Sequence, residues 1–178
     1  MKIIVLNSTP LIYLAKIGLS HLLIDLRLEK ITSPLVKQEV VDRGRAIGAP
    51  EATVIENLFQ KHIIKVAEPR DQELISRLLE VKGLHEADIH VLALAKEYDG
   101  IAIVDDKLAR KTAKIYKIRY AGTSYLLIRT YLQGLITKKQ VKKAVDEMIS
   151  AGWRCGVEDY QKIIQHLETL QREGEGIG

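Results

Sequence analysis

The sequence predicts an α/β fold: a doubly wound, mainly parallel sheet with helices on both faces and extra helices at the C-terminal end. Three observations carry this. Short apolar runs end in turn residues and alternate with stretches of helical period, the pattern of strands joined by crossover helices. One run, IAIV at 101–104, has no polar alternation and opens directly onto Asp105 and Asp106, as a strand buried on both faces does. The last third of the chain loses the strand pattern and turns helical.

Taken in order, residues 2–6 (KIIVL) are a buried strand stopped by Asn-Ser-Thr-Pro. Ser8 or Thr9 is expected to cap a helix that Pro10 begins, and Gly18 to stop it. A short helix over 19–26 and a strand over 29–32 follow. Pro34 opens a helix to about residue 43, which Gly44 and Gly48 should break. Pro50 starts another, to residue 60. Residues 63–67 are β-branched and short, a third strand. Residues 71–81 are amphipathic. The clearest helix spans 85–98, with Ile89, Leu92, Ala93 and Ala95 as its buried stripe and Gly100 as its stop. After the strand at 101–104 come a helix over 107–116, a strand over 118–121 and a helix to residue 133. Thr137 caps a helix to residue 150, and residues 157–172 form a last amphipathic one. The GEGIG tail is expected to fray. This divides the chain into a domain over 1–135, helices packed on it over 136–172, and a tail over 173–178.

Composition bounds the function. The 178 residues are 47% hydrophobic and 28% charged, values of a globular protein with a full core. No apolar run reaches the roughly 20 residues of a membrane span, and the start lacks a signal-peptide core, so a cytoplasmic protein is expected. Cys155 is the single cysteine, which excludes an internal disulfide and a cysteine zinc site. A net charge of +4 and a pI near 9.1 permit a nucleic-acid partner without requiring one. Aromatics at 5% argue against an extended base-stacking surface. No phosphate-binding glycine motif occurs.

The residues that carry chemistry are acids and amides at strand ends and helix starts. They are Asn7 after the first strand, Glu39 in a helix, Glu86 and Asp88 opening the clearest helix, and Asp105 with Asp106. The carboxyl ends of parallel strands are where open α/β sheets bind ligands. Hard divalent cations need oxygen ligands, and magnesium commonly takes one or two carboxylates plus water and substrate phosphate. Singly, each acid also has a bland reading: Asp106 as an N-cap, Glu86 and Asp88 as favourable charges in a first helical turn.

The segments NSTPLIYLAKIG, VKQEVV, GLHEADIHVLALAKE, IAIVDDKLARKTAK and AGTSYLL resemble the PIN-domain superfamily, most closely its prokaryotic toxin-type (VapC-like) branch, over about the first 135 residues. The resemblance implies a parallel sheet ordered 3-2-1-4-5 and a Mg2+- or Mn2+-dependent endoribonuclease acting on single-stranded RNA. On the matching positions it implies Asn7, Glu39, Glu86, Asp88 and Asp105 as catalytic residues. Glu86, Asp88, Asp105 and Asp106 would be metal ligands, and Ser8 and Thr123 would position phosphate or water. It further implies a toxin–antitoxin pair with a protein antitoxin, and a homodimer. One departure stands out: the family's first acid is an aspartate, and here it is Asn7. An amide brings no charge and is a poorer ligand for a hard cation. The alternative reading is therefore a catalytically impaired module that binds RNA or protein. A phosphotransferase reading lacks a nucleophile motif.

Lys107, Arg110, Lys111 and Lys114 follow the acids and are candidate RNA-binding residues; the competing reading is a solvated helix face. Lys138, Lys139, Lys142 and Lys143 read as an exposed cluster, His85 and His90 as surface histidines, and Trp153 and Tyr160 as anchors of the last helix.

Overall fold

The computed structural model describes residues 2–170; the expected tail and the last residues of the expected final helix lie outside them. Strands β1 (Ile3–Leu6), β2 (Glu29–Thr32), β3 (Lys65–Val66), β4 (Ile101–Ile103) and β5 (Tyr120–Ala121) form one sheet, ordered β3-β2-β1-β4-β5, with every pair parallel. The α/β class and the strand order are as expected. Leu6 lies opposite Ile103, so β1 and β4 end level, and the Asn7 N–H donates to the Ile103 carbonyl at 3.3 Å. Thr32, buried at the end of β2, donates its hydroxyl to the Leu6 carbonyl at 2.6 Å. The carboxyl end of β1 is thus held from both sides. The crossovers diverge between β1 and β4, the switch point where such sheets open a crevice.

The helices are α1 (Ser8–Lys16), α2 (Leu22–Asp25), α3 (Pro34–Lys37), α4 (Gly44–Ala46), α5 (Glu51–Gln60), α6 (Gln72–Leu79), α7 (Glu86–Glu97), α8 (Lys107–Ile115), α9 (Thr123–Leu132), α10 (Lys138–Ser150) and α11 (Val157–Thr169). Several boundaries differ from the sequence reading for physical reasons. Asn7 itself caps α1: its Oδ1 accepts from the Ser8 N–H at 2.8 Å, so Ser8 and Thr9 are already helical. Gly44 does not break its helix. A π-helical turn, Gln38–Arg43, joins α3 to α4. A Cβ at Gly44 would sit 3.0 Å from the Ala52 Cβ, so this glycine serves the close approach of α5. Helix α7 ends at Glu97, and Asp99 follows in left-handed geometry with φ 44°, one residue before the expected glycine. His62 and Lys117 take the same conformation after α5 and α8, so three turns into the sheet use left-handed residues that sequence did not mark.

The core explains the site. Ile4, Val5, Leu6, Ala102, Ile103 and Val104 are fully buried. Helix α7 packs on β1, β4, α3, α6 and α8, and Val91 and Leu94 are buried as well as the expected stripe. Packed on five elements, α7 turns Asp88 inward while Glu86, two residues earlier, stays exposed. At the C-terminal end α10 packs on α9 and α1, and α11 packs on α10. No helix among the described residues is long and apolar enough to cross a membrane.

Candidate active site

A cleft of about 440 Å³ opens at the switch point. Its walls come from the start of α1 (Asn7, Ser8, Thr9), the π-helical turn (Gln38, Glu39, Arg43), the start of α7 (His85, Glu86, Asp88) and Asp106. The π turn matters locally. The Gly44 N–H reaches back five residues to the Glu39 carbonyl, and such turns recur at functional sites because they re-aim one side chain. Here Glu39 meets Ser8, whose Oγ donates to Glu39 Oε2 at 2.7 Å.

Asp88 is the electrostatic centre. It is 4% exposed, and its pKa is pushed up to about 6. Burial is the main cause, the Asp106 charge adds to it, and the nearby Glu39 adds less; His85 and the Asn7 hydrogen bond oppose the rise. Asn7 Nδ2 donates to Asp88 Oδ1 at 2.6 Å while Asn7 Oδ1 takes the Ser8 N–H. Both ends of the amide therefore hold a protein partner. Asp106 uses Oδ1 to cap α8, accepting from the Ala109 N–H at 2.8 Å, and leaves its second oxygen without a hydrogen bond to a described residue. Glu86 is exposed on the rim.

The structure separates Asp105 from this group. Its Oδ1 accepts from Arg110 Nη2 and from the Thr123 N–H, each at 2.9 Å. Its Oδ2 accepts from Trp153 Nε1 at 2.9 Å and from the Thr123 hydroxyl. Four donors meet its two oxygens, so Asp105, expected as a catalytic metal ligand, stands in this structure as a latch between Arg110, Thr123 and Trp153. Thr123, expected to position phosphate or water, is 0% exposed and gives its N–H and its hydroxyl to Asp105. Arg110, expected on RNA, gives Nη2 to Asp105 and Nε to the Val104 carbonyl at 2.8 Å. Gly122 makes room for this latch: a Cβ there would strike Arg110 Nη2 and lie 2.9 Å from Asp105 Oδ1. Lys111 and Lys114 are exposed and line neither cleft; Lys107 lines a second cleft described below.

The four acids of the first cleft, Glu39, Glu86, Asp88 and Asp106, offer oxygen donors, which suit Mg2+ or Mn2+, with His85 beside them on the wall. Among the described residues no three acids, histidines or cysteines converge as a closed metal cage. What fits is a cation held by one or two of these carboxylates, with water and substrate phosphate completing its shell. The buried Asp88, facing Asp106 and Glu39, gives a reason for a cation to enter.

Arg43 and Gln38 were not marked by sequence; the π turn that aims them has no residue signature. Trp153, expected to anchor the last helix, instead ties the loop before it to Asp105, 48 positions away. His85 lines the cleft from the N-cap position of α7, with no side-chain capping bond, and His90 is partly buried with Nδ1 unpaired among the described residues.

A family model described as a PIN domain matches residues 3–169, well past the first 135. The chain is also similar to Endoribonuclease Nob1 of Pyrococcus abyssi, 32% identical over 101 residues. That match takes in 53% of this chain and 59% of the relative, so the chain spans under two thirds of that protein's length.

Proposed function

The chain belongs to the PIN-domain family, and on that premise we propose that it is a metal-dependent endoribonuclease cleaving single-stranded RNA. The observation that carries the reading is the acidic cleft at the ends of β1 and β4, where a buried carboxylate of raised pKa faces two more acids. In this reading Asp88 and Asp106 hold the cation, Glu39 and Glu86 hold or orient its water, and Asn7 and Ser8 position the acids. The cation supplies activated water and charge stabilisation at the scissile phosphate. Arg43 lies on the cleft wall, where it can meet the negative charge that grows on the phosphate. Asp105 takes a positioning role here, because its oxygens already meet four donors.

The test is cleavage of a fluorescent single-stranded RNA in Mg2+ or Mn2+. Asp106→Asn is expected to lose cleavage while keeping its melting profile. Undiminished metal-dependent cleavage in both Asp106→Asn and Asp88→Asn would overturn the assignment.

A specific observation favours a second reading. The Asn7–Asp88 hydrogen bond does without metal what a cation would otherwise do. A chain silenced at this position would bind RNA or a protein and cleave nothing. The toxin-type role, with a cytoplasmic homodimer and a protein antitoxin, extends the first reading and rests on the motif resemblance. Growth arrest on expression, relieved by a co-expressed neighbour, tests it.

A further inference from the structure

A second groove, about 850 Å³, runs alongside the acidic cleft, and Thr9 and Asp106 line both. One side is Tyr13 of α1 and Lys107 of α8. The other is the 152–156 loop with Arg154, and Lys162 of α11. We propose that this groove is the track for the RNA strand beyond the scissile phosphate, with Lys107, Arg154 and Lys162 holding its phosphates. The proposal rests on the endoribonuclease reading for what happens at the neighbouring cleft.

The charge layout carries it. The first cleft is lined by four carboxylates against Arg43 and His85, so it repels phosphate until a cation enters. In the groove, Asp105 and Arg110 neutralise each other. That leaves Asp106, shared with the first cleft, and Asp159 as its acids. Against them stand Lys107, Arg154 and Lys162, all exposed and without an ion pair among the described residues. A polyanion is thus favoured in the groove and metal-gated at the cleft, which is what a strand threading both requires. The wall is also built in advance. Trp153, 6% exposed, ties the loop to Asp105 between β4 and α8, so Arg154 next to it starts from a fixed backbone position. None of this was visible locally, because Arg154 and Lys162 come from the helical third of the chain and not from the basic run after Asp106.

The experiment is fluorescence anisotropy of a labelled single-stranded RNA 12-mer in EDTA, across a salt series. Three chains are compared: the protein itself, Arg154→Glu/Lys162→Glu, and Lys139→Glu/Lys143→Glu, which changes net charge equally on α10 away from the groove. The groove pair is expected to weaken binding at least about tenfold. It should also flatten the salt slope by about 1.4, two phosphate contacts at about 0.7 each on a single strand. The α10 pair should leave the slope unchanged. Equal effects from the two pairs, no effect from the groove pair, or no RNA binding by the parent chain would overturn the proposal. Cleavage is read separately in Mn2+. Groove-dependent binding without cleavage would sink the nuclease reading and leave the track. Cleavage and binding both untouched by the groove pair would do the reverse.

Discussion

Replacing Asn7 by aspartate is the most informative single change. The substitution is isosteric, so an oxygen would take the place of Nδ2, 2.6 Å from Asp88 Oδ1. A hydrogen bond to a charged acceptor, worth about 1.5–3 kcal/mol, is lost. Two like charges are also brought together, at about 4 kcal/mol for roughly 4 Å and an effective dielectric near 20. Proton uptake limits the repulsion, since Asp88 already titrates near 6. The net loss in EDTA near neutral pH is then on the order of 3 kcal/mol. For a chain of this size that lowers the melting temperature by roughly 6–12 °C. A cation between the two carboxylates offsets most of this loss. At a hundred times its Kd, Mn2+ returns about 2.7 kcal/mol. Melting by differential scanning fluorimetry, with and without Mn2+, reads both effects without reference to activity. The expected result is a less stable apo variant with a larger Mn2+ shift than the parent. If the variant melts with the parent in EDTA and Mn2+ moves both equally, the first cleft is not where a cation binds and Asn7 does not tune it.

Asp88 has a folded-state pKa raised above its unfolded value, so its contribution favours the fold at low pH and is lost as pH rises through about 6. Between pH 5 and pH 8 this removes about 1–1.5 kcal/mol of stability. In Asp88→Asn, urea midpoints should lose this slope and the chain should be more stable than the parent at pH 8, and a less stable variant there would contradict the burial argument. Trp153→Phe keeps an aromatic ring, removes the donor to Asp105 Oδ2 and shrinks a buried side chain; the expected loss is at least about 1.5–3 kcal/mol by urea denaturation, and a neutral change would mean the latch holds nothing. Gly122→Ala keeps an ordinary backbone conformation, φ −93°, but drives Arg110 off Asp105. A loss of about 1–2 kcal/mol is expected, shrinking when Arg110→Ala is already present, and full additivity of the two would exclude the steric route.

The sequence by itself determined the α/β class, the five strands in approximate place, and the strip of acids from which a site is built. These follow from local pattern: apolar runs of strand length, helical period, and capping residues act over a few positions. It did not determine which acids meet. Asp105 and Asp106 are neighbours in a stretch that leaves a strand, and consecutive side chains of extended backbone point to opposite sides. One carboxylate therefore faces the cleft with Asp88, while the other turns to Arg110, Thr123 and Trp153. The burial that raises the Asp88 pKa comes from five packed elements around α7, and two of them, β1 and α3, lie far from it in sequence. The groove wall comes from residues some 50 positions downstream of the acids, held there by one indole N–H. Tertiary structure decided these points because charge, burial and hydrogen-bond saturation depend on distance in space, and the sequence pattern records only distance along the chain.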